Sequence, residues 1–325
     1  MKISVLKSNE LTDLDWKDLT TGFNESFGRD KKENELKSYY QNNPFGYSYH
    51  AVGRNESEDI VGHTSVVPQT YIAGNKEVLF GLSGGSYILK EYRKYDLLFK
   101  ELYETIQNHC KAEKMAVIVG IPNHNSFKFF TKILGAQYLK DLKYHLLPVK
   151  PFRILNKKKF TFIDPLVWLP VFILVLLNQL FAFLFLTKVK NYPIHQKLDD
   201  EFIRSRFNEK YQFFSGHRTN GIYRIYDEKG IKTAYIMDFR QNGNRTLLAL
   251  TGIIKHILLN EKVDAILYIG TLKLNQLALF EIPPKMIPQR FPLTYDLLEK
   301  ENPELRQLLL PPENWDFGLM NFDVR

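Results

Sequence analysis

EVLFGLSGGSYIL (Glu77–Leu89), the turn Glu91-Tyr92-Arg93-Lys94-Tyr95-Asp96, the stretch Leu97–Lys111 and the run Met115–Ile121 set the architecture of this chain. The first reads as a strand. In the stretch after the turn, Leu97, Leu98, Leu102, Tyr103, Ile106 and Cys110 recur at helical spacing, an apolar stripe that has to lie on a sheet. Met-Ala-Val-Ile-Val-Gly-Ile is short, apolar and β-rich, the pattern of a strand covered on both faces. A second helix, Ser126–Leu134, follows, and Gly135 closes it. The first amides of a helix point outward unpaired and carry partial positive charge, and Arg93 and Lys94 add full charges beside them. The turn therefore predicts an anion site.

This succession resembles the core of the GCN5-related N-acetyltransferase superfamily. The residues that carry the resemblance are Tyr92-Arg93-Lys94-Tyr95 in the turn and Gly120-Ile121-Pro122-Asn123-His124-Asn125 after the second strand. Phe129-Phe130-Thr131-Lys132-Ile133-Leu134-Gly135 then stands where that family has an aromatic-rich helix ending in Leu-Gly. The match extends over residues 1–150 and implies acetyl-CoA, or another acyl-CoA, as donor. On this reading Arg93, Lys94 and the amides around Tyr95 hold the pyrophosphate, while Ser83, Gly84, Gly85, Tyr87, Asn123 and Asn125 hold pantetheine and thioester. Two positions depart from the pattern: Asp96 replaces a turn glycine, and Thr131 replaces a tyrosine often used as general acid. They define an alternative, a scaffold that keeps the fold without catalysis.

The chain has 325 residues, room for two cores, and 24 Phe with 18 Tyr argue against disorder. One cysteine, Cys110, excludes an internal disulfide and a multi-cysteine metal site, and its place on an apolar stripe suits packing. The eight histidines form no His-x-x-x-His pair, so no metal is expected. Of the net charge of +8, six units fall in residues 151–198. The near-neutral remainder weighs against a nucleic-acid partner, which demands broad phosphate neutralisation. Met1–Val5 reads as a strand and Leu11–Phe23 as a helix, so no leader is expected and the setting is read as cytoplasmic.

Before the organising strand come two helices, Leu14–Phe27 and Glu33–Gln41, then the strands Tyr47–Val52 and Asp59–Tyr71. Phe23, Phe27, Tyr39 and Tyr40 can line an acceptor pocket or simply pack. Ala136–Val149 reads as the last strand of this half. Residues 160–187 are an apolar run flanked by Lys157, Lys158, Lys159, Lys188 and Lys190, with no charge between Pro165 and Leu186. Cations at both ends favour one side of a membrane, so a helix or hairpin dipping into the cytoplasmic leaflet is expected, with a true span, or a helix packed between domains or in a homodimer interface, as alternatives. From Asp199 the order becomes helix, strand, hairpin (Gly221–Phe239), helix (Leu247–Leu259), strand (Val263–Ile269), helix (Leu272–Phe280) and strand (Arg290–Leu297), with a short last strand, Gly318–Val324. It repeats the first half and resembles the paired units of Fem-type aminoacyl transferases, for which aminoacyl-tRNA would be the donor.

The expected architecture is thus α/β of mixed type: two acetyltransferase-like sheets flanked by helices, at residues 1–150 and 199–325, joined by the apolar segment within 151–198. Gly81-Leu82-Ser83-Gly84-Gly85 has the spacing of a hydrolase elbow but continues as strand, so a bulge or close backbone approach is the better reading. His63 and His124 are the candidate bases. Arg240-Gln241-Asn242-Gly243-Asn244-Arg245, before helix 247, is a second candidate anion loop. The function read from these residues is acyl transfer from coenzyme A to an amine, either a small molecule or an amino sugar of a cell-surface glycan precursor.

Overall fold

Early strands buried along most of their length and helices buried every three to four residues assemble a mixed α/β molecule with two sheets. The structure, a computed structural model, describes residues 1–94, 97–185, 192–274 and 276–322. The chain divides into two compact units: Met1–Asp141 with Pro193–Arg206 and Arg290–Trp315, and Leu142–Tyr192 with Phe207–Gln289 and Asp316–Arg325.

The first unit opens with β1 (Lys2–Lys7), α1 (Asp13–Phe27), α2 (Glu33–Gln41), β2 (Tyr49–Arg54), β3 (Ile60–Ala73) and β4 (Lys76–Ile88). It continues with α3 (Leu98–Ala112), β5 (Val117–Gly120), α4 (His124–Lys132) and β6 (Gln137–Asp141). The second unit then takes β7 (Lys143–Pro148), α5 (Pro151–Ile154) and α6 (Asp164–Phe185). After β8 (Ile194–Gln196) and α7 (Asp200–Arg206) of the first unit come β9 (Gln212–Gly216), β10 (Thr219–Glu228), β11 (Ile231–Gln241), α8 (Leu247–Asn260), β12 (Ala265–Gly270) and β13 (Phe280–Glu281) of the second. Finally β14 (Pro292–Leu297) and α9 (Pro303–Leu309) belong to the first unit and α10 (Leu319–Phe322) to the second.

In the first unit the strand order is β1-β2-β3-β4-β5-β14-β6, with β8 beside the end of β3; β4 and β5 run parallel, and the other paired strands are antiparallel among the described residues. One face carries α3, whose Leu98, Leu102, Tyr103, Ile106 and Cys110 pack with Val61, Val66 and Ile118. Burial pushes the Cys110 thiol up to about 12, which keeps it an inert packing group. The other face buries Trp16 of α1 and Tyr40 of α2.

The second sheet has the order β13-β7-β12-β11-β10-β9. It repeats the same motif: a hairpin (β10, β11), a helix (α8), and a strand (β12) returning parallel to the second hairpin strand. In each sheet the strand next to that parallel pair comes from a distant part of the sequence. The segment expected as one strand over Ala136–Val149 breaks at Leu142: β6 stays in the first sheet, and β7 pairs with β12 in the second. The strand expected at Arg290–Leu297 exists as β14, but its partners are β5 and β6 of the first sheet. The units therefore interleave along the chain instead of meeting at 150 and 199, and α6 belongs to the second unit.

Two local expectations are corrected. Leu272–Phe280 is not helical in its described residues, because the Gln276 side chain bonds both the N–H and the carbonyl of Leu279, holding an open loop. The described part of the strand expected at Gly318–Val324, residues 318–322, is not extended: Asn321 accepts the Gly318 amide at 2.8 Å, and Leu319–Phe322 is a buried helical turn.

Residues Lys158–Leu184 form a continuous helical run of 27 residues with mean hydropathy 2.3 in its most apolar window, long and apolar enough to cross a membrane.

Candidate functional site

The site is built where β4 changes partners. Between β3 and β4 the register runs Ser65↔Gly84 and then His63↔Tyr87, so Gly85 and Ser86 together oppose the single residue Thr64. This is a β-bulge. Gly85 takes φ +62°, and a Cβ there would sit 2.0 Å from the Tyr40 hydroxyl, so only glycine fits. On the β5 side, pairing proceeds from Phe80↔Val117 to Ser83↔Gly120 and stops. From Gly84 onward β4 has no pairing to β5, and the two strands part beside the bulge.

Hydrogen bonds from β3 lock the bulge in place. Ser65 Oγ donates to the Gly84 carbonyl at 2.7 Å, and Thr64 Oγ1 lies 2.8 Å from Ser86 Oγ. His63 Nδ1 lies 2.9 Å from the Gly85 carbonyl, which can only accept, so Nδ1 carries the proton. His63 Nε2, left as an acceptor, takes the proton of His50 Nδ1 at 2.9 Å, and His50 Nε2 accepts from Ser48 Oγ at 2.8 Å. The tautomers of a buried two-histidine chain are thereby set from one carbonyl. Both rings are neutral: desolvation pulls His63 down to about 4 and His50 well below the usual histidine range.

His63 is 2% exposed with both ring nitrogens bonded, so it stands one layer behind the strands rather than facing a substrate. Tyr87 is also buried, its ring packed into the space left by Gly22 of α1, so at that position β4 presents backbone. Ser83 and Gly84 are half-buried at the parting, and a Cβ on Gly84 would meet the Tyr39 hydroxyl at 3.6 Å. Tyr39 thus stands at the bulge, a position that no local spacing marks.

Across the gap, the chain leaves β5 through Ile121 and Pro122 into α4. Asn123 is the N-cap: its side-chain oxygen accepts the amides of Asn125 and Ser126, both at 3.0 Å. His124 and Asn125 are exposed in the first turn. Thr131 donates its hydroxyl to the Phe127 carbonyl at 2.9 Å within the helix.

Arg93 is exposed and donates from Nε to the Ile88 carbonyl at 2.9 Å, tying the basic turn to the end of β4. Lys94 is exposed beside it. Leu97, the N-cap of α3, offers no side-chain cap, so the first amides of α3 receive none from it. Tyr95 and Asp96 lie outside the described residues. On the α2 face of the same unit is a shallow, open cleft lined by Tyr39, Asn43, Gln69, Leu82, Ser205 and Arg206 among others.

The second candidate anion loop is organised differently. Arg245 is buried and bonded to Asp238, Asp316 and the Tyr268 hydroxyl, and Arg240 pairs with Asp238 at 2.8 Å. Both guanidinium groups are paired with carboxylates, and Thr246 caps α8 through the Ala249 amide. Those neighbours leave no cradle for a phosphate there.

The arrangement of strands and helices around this site is part of a fold shared with solved structures. A GCN5-related N-acetyltransferase from Anabaena variabilis matches 92% of this chain and 73% of its own, at TM-score 0.58 and 9% identity. The fold is that of the GCN5-related N-acetyltransferases. A second member, from Kribbella flavida, covers 91% of this chain and 71% of its own with TM-score 0.59 and 10% identity. Saccharomyces cerevisiae N-myristoyltransferase, solved with bound myristoyl-CoA, covers 90% of this chain and 82% of its own with TM-score 0.54 and 10% identity. No protein-family model and no curated protein matches the sequence. Because the acetyltransferase fold persists at such identities, the likeness speaks for architecture alone.

Proposed function

We propose that this chain is an N-acyltransferase that moves an acyl group from coenzyme A to an amine. One observation carries the reading: β4 and β5 part at Ser83/Gly120 directly beside a glycine bulge whose two carbonyls are already bonded from β3. The Tyr40 hydroxyl already occupies the place where a Gly85 side chain would stand, so the edge offered is that of Ser83 and half-buried Gly84. An extended thioester arm can add its own hydrogen bonds to strand edges opened in this way.

Ser83, Gly84, Gly85 and the backbone of Tyr87 on one side, and Asn123 and Asn125 on the other, are the residues assigned to pantetheine and thioester. Asn123 contributes by holding the start of α4. Arg93, Lys94 and the first amides of α3 are assigned to the pyrophosphate, with Tyr95 next to them in sequence. Bound acyl-CoA supplies an activated acyl carbon. The protein's part is to orient that carbon and exclude water, a gain of proximity. The acceptor nitrogen bonds to the acyl carbon, the C–S bond breaks, and the thiolate leaves to be protonated. His124, exposed at the mouth, is the base assigned to the amine proton. His63 is assigned a positioning role, because its proton fixes the Gly85 carbonyl and thereby the bulge.

Acetyl is the acyl group proposed, and an amino sugar the acceptor class. The cleft over Leu82 is lined by amide, hydroxyl and guanidinium side chains of the kind that bind sugar hydroxyls.

Calorimetry with acetyl-CoA tests the donor. Micromolar binding is expected, weakened about tenfold or more by Arg93→Ala, as befits one charge-assisted phosphate contact. No heat at millimolar ligand, with the protein folded, overturns the proposal.

A further inference from the structure

α6 is apolar all round, yet its two faces meet different surroundings. One face is part of the second unit's core. Val175 and Ala182 are buried, and Trp168, Val171 and Phe172 pack on the cluster formed by Leu250, Ile254 and Leu258 of α8. Polar bonds fasten the same side. Trp168 Nε1 donates to the Leu258 carbonyl at 3.4 Å, and Asn178 accepts the Leu277 amide at 2.9 Å. These anchors run from the first to the last turns of the helix.

The opposite face is bare. Phe162, Leu166, Leu169, Ile173, Leu177, Leu180 and Leu184 recur every three or four residues and are between 47% and 75% exposed. A continuous stripe of this size is far beyond the scattered apolar residues of an ordinary surface. The segment's acid, Asp164, is buried, its carboxylate accepting the amides of Phe152 and Arg153, so it puts no negative charge on the stripe. Exposed Lys157, Lys158 and Lys159 stand at one end of the stripe, and Lys188 and Lys190 follow it in sequence.

We infer that this face seats in the plane of an anionic lipid bilayer, with α6 lying flat and both of its ends on one side. Three alternatives fare worse on these observations. A spanning helix would have to leave Trp168, Val175, Asn178 and Ala182 unpacked, exposing the apolar face of α8. Water leaves the stripe uncovered. A second copy paired parallel along the stripe brings Lys157, Lys158 and Lys159 against their own counterparts. Anionic headgroups meet those same cations favourably while the stripe enters the acyl boundary. The inference stands whether or not the first unit transfers acyl groups.

Flotation of the full chain with phosphatidylcholine vesicles, with and without phosphatidylglycerol, tests it. Wild-type protein is expected to float with the anionic vesicles and less with the neutral ones. Leu169→Glu/Ile173→Glu/Leu177→Glu should lose binding to both by about tenfold or more, since three apolar side chains that would enter the acyl boundary become charged. Lys157→Glu/Lys158→Glu/Lys159→Glu, outside the helix packing, should lose only the anionic preference. Unchanged thermal midpoints confirm that both variants fold. Wild-type protein that stays in solution with anionic vesicles overturns the inference. So does a wild-type dimer by light scattering that the leucine variant abolishes, which would make the stripe a self-interface.

Discussion

Two glycines side by side in β4 have opposite tolerances. Gly85 holds a positive φ and its missing Cβ leaves 2.0 Å to the Tyr40 hydroxyl, whereas a Cβ on Gly84 meets Tyr39 in ordinary contact at 3.6 Å. Gly85→Ala should cost about 1–2 kcal/mol from the backbone alone, with more from the clash. Gly84→Ala should leave the thermal midpoint near wild type while narrowing the gap. The pair is read by thermal melts alongside acetyl-CoA calorimetry, and equal melts for the two variants would remove the bulge from the argument. The buried histidines give a pH signature. Desolvation holds His63 at about 4 against an ordinary 6.5, and His50 is displaced the same way. Below 6.5 the unfolded chain therefore binds protons that the folded one refuses. Stability is present in full above that pH and falls as pH drops from 6.5 toward 4, by at most about 1.4 kcal/mol per pH unit for each histidine. Urea midpoints at pH 7.5 and 5 should differ in the wild type and converge in His50→Gln/His63→Gln. A slope unaltered by the double substitution would assign the acid sensitivity elsewhere. Neither feature was evident from spacing: the paired glycines suggested a bulge, but nothing linked His63 to His50.

At the scale of elements, helix starts separate the two units. α3 begins at Leu97 without a side-chain cap and follows a basic turn, while α8 is capped by Thr246 and follows a loop whose arginines are buried against Asp238 and Asp316. A polar loop with two arginines and one glycine, Arg240 to Arg245, was readable, and it suggested an anion site. Each guanidinium found its counter-charge inside the protein, which no local pattern reveals. Removing Arg245 takes the close partner from buried Asp316 and one of two guanidinium partners from Asp238, so Arg245→Ala is expected to destabilise the second unit by roughly 3 kcal/mol. Arg245→Lys should restore only part, because an ammonium cannot reproduce the forked contacts. Denaturant unfolding of both variants checks this, and a loss under about 1 kcal/mol would show the network to be dispensable. The strands and helices of the first unit, by contrast, lie within a few residues of where alternation and helical periodicity place them. α4 starts two residues early because Asn123, not Asn125, is the cap.

For the whole molecule the consequential feature is strand provenance. β14 lies between β5 and β6, and it brings Asp296, which accepts the Tyr103 hydroxyl of α3 at 2.6 Å. A fragment of residues 1–150 therefore lacks the strand that attaches β6 and leaves one edge of β5 bare. It is expected to show no cooperative thermal transition, and grafting residues 290–315 after residue 141 should restore one. A sharp melt for the fragment alone would contradict the topology.

By itself the sequence determined the elements from β1 to α4, the basic turn towards α3, the glycine pair of β4 and the apolar segment with its lysine flanks. All of these are written in periods of two or four residues or in runs of like side chains, and backbone geometry converts such patterns directly into strands, helices and turns. Tertiary structure alone decided that β7 and β14 sit in the sheets they do, that His50 and His63 share a proton chain, that Arg245 is neutralised, and that one face of α6 is covered. Each of those depends on groups meeting from distant positions, as when Thr294 donates to the Gly120 carbonyl across 174 residues. Such meetings are selected by burial and hydrogen-bond satisfaction over the entire fold, and a window of sequence holds only one partner at a time.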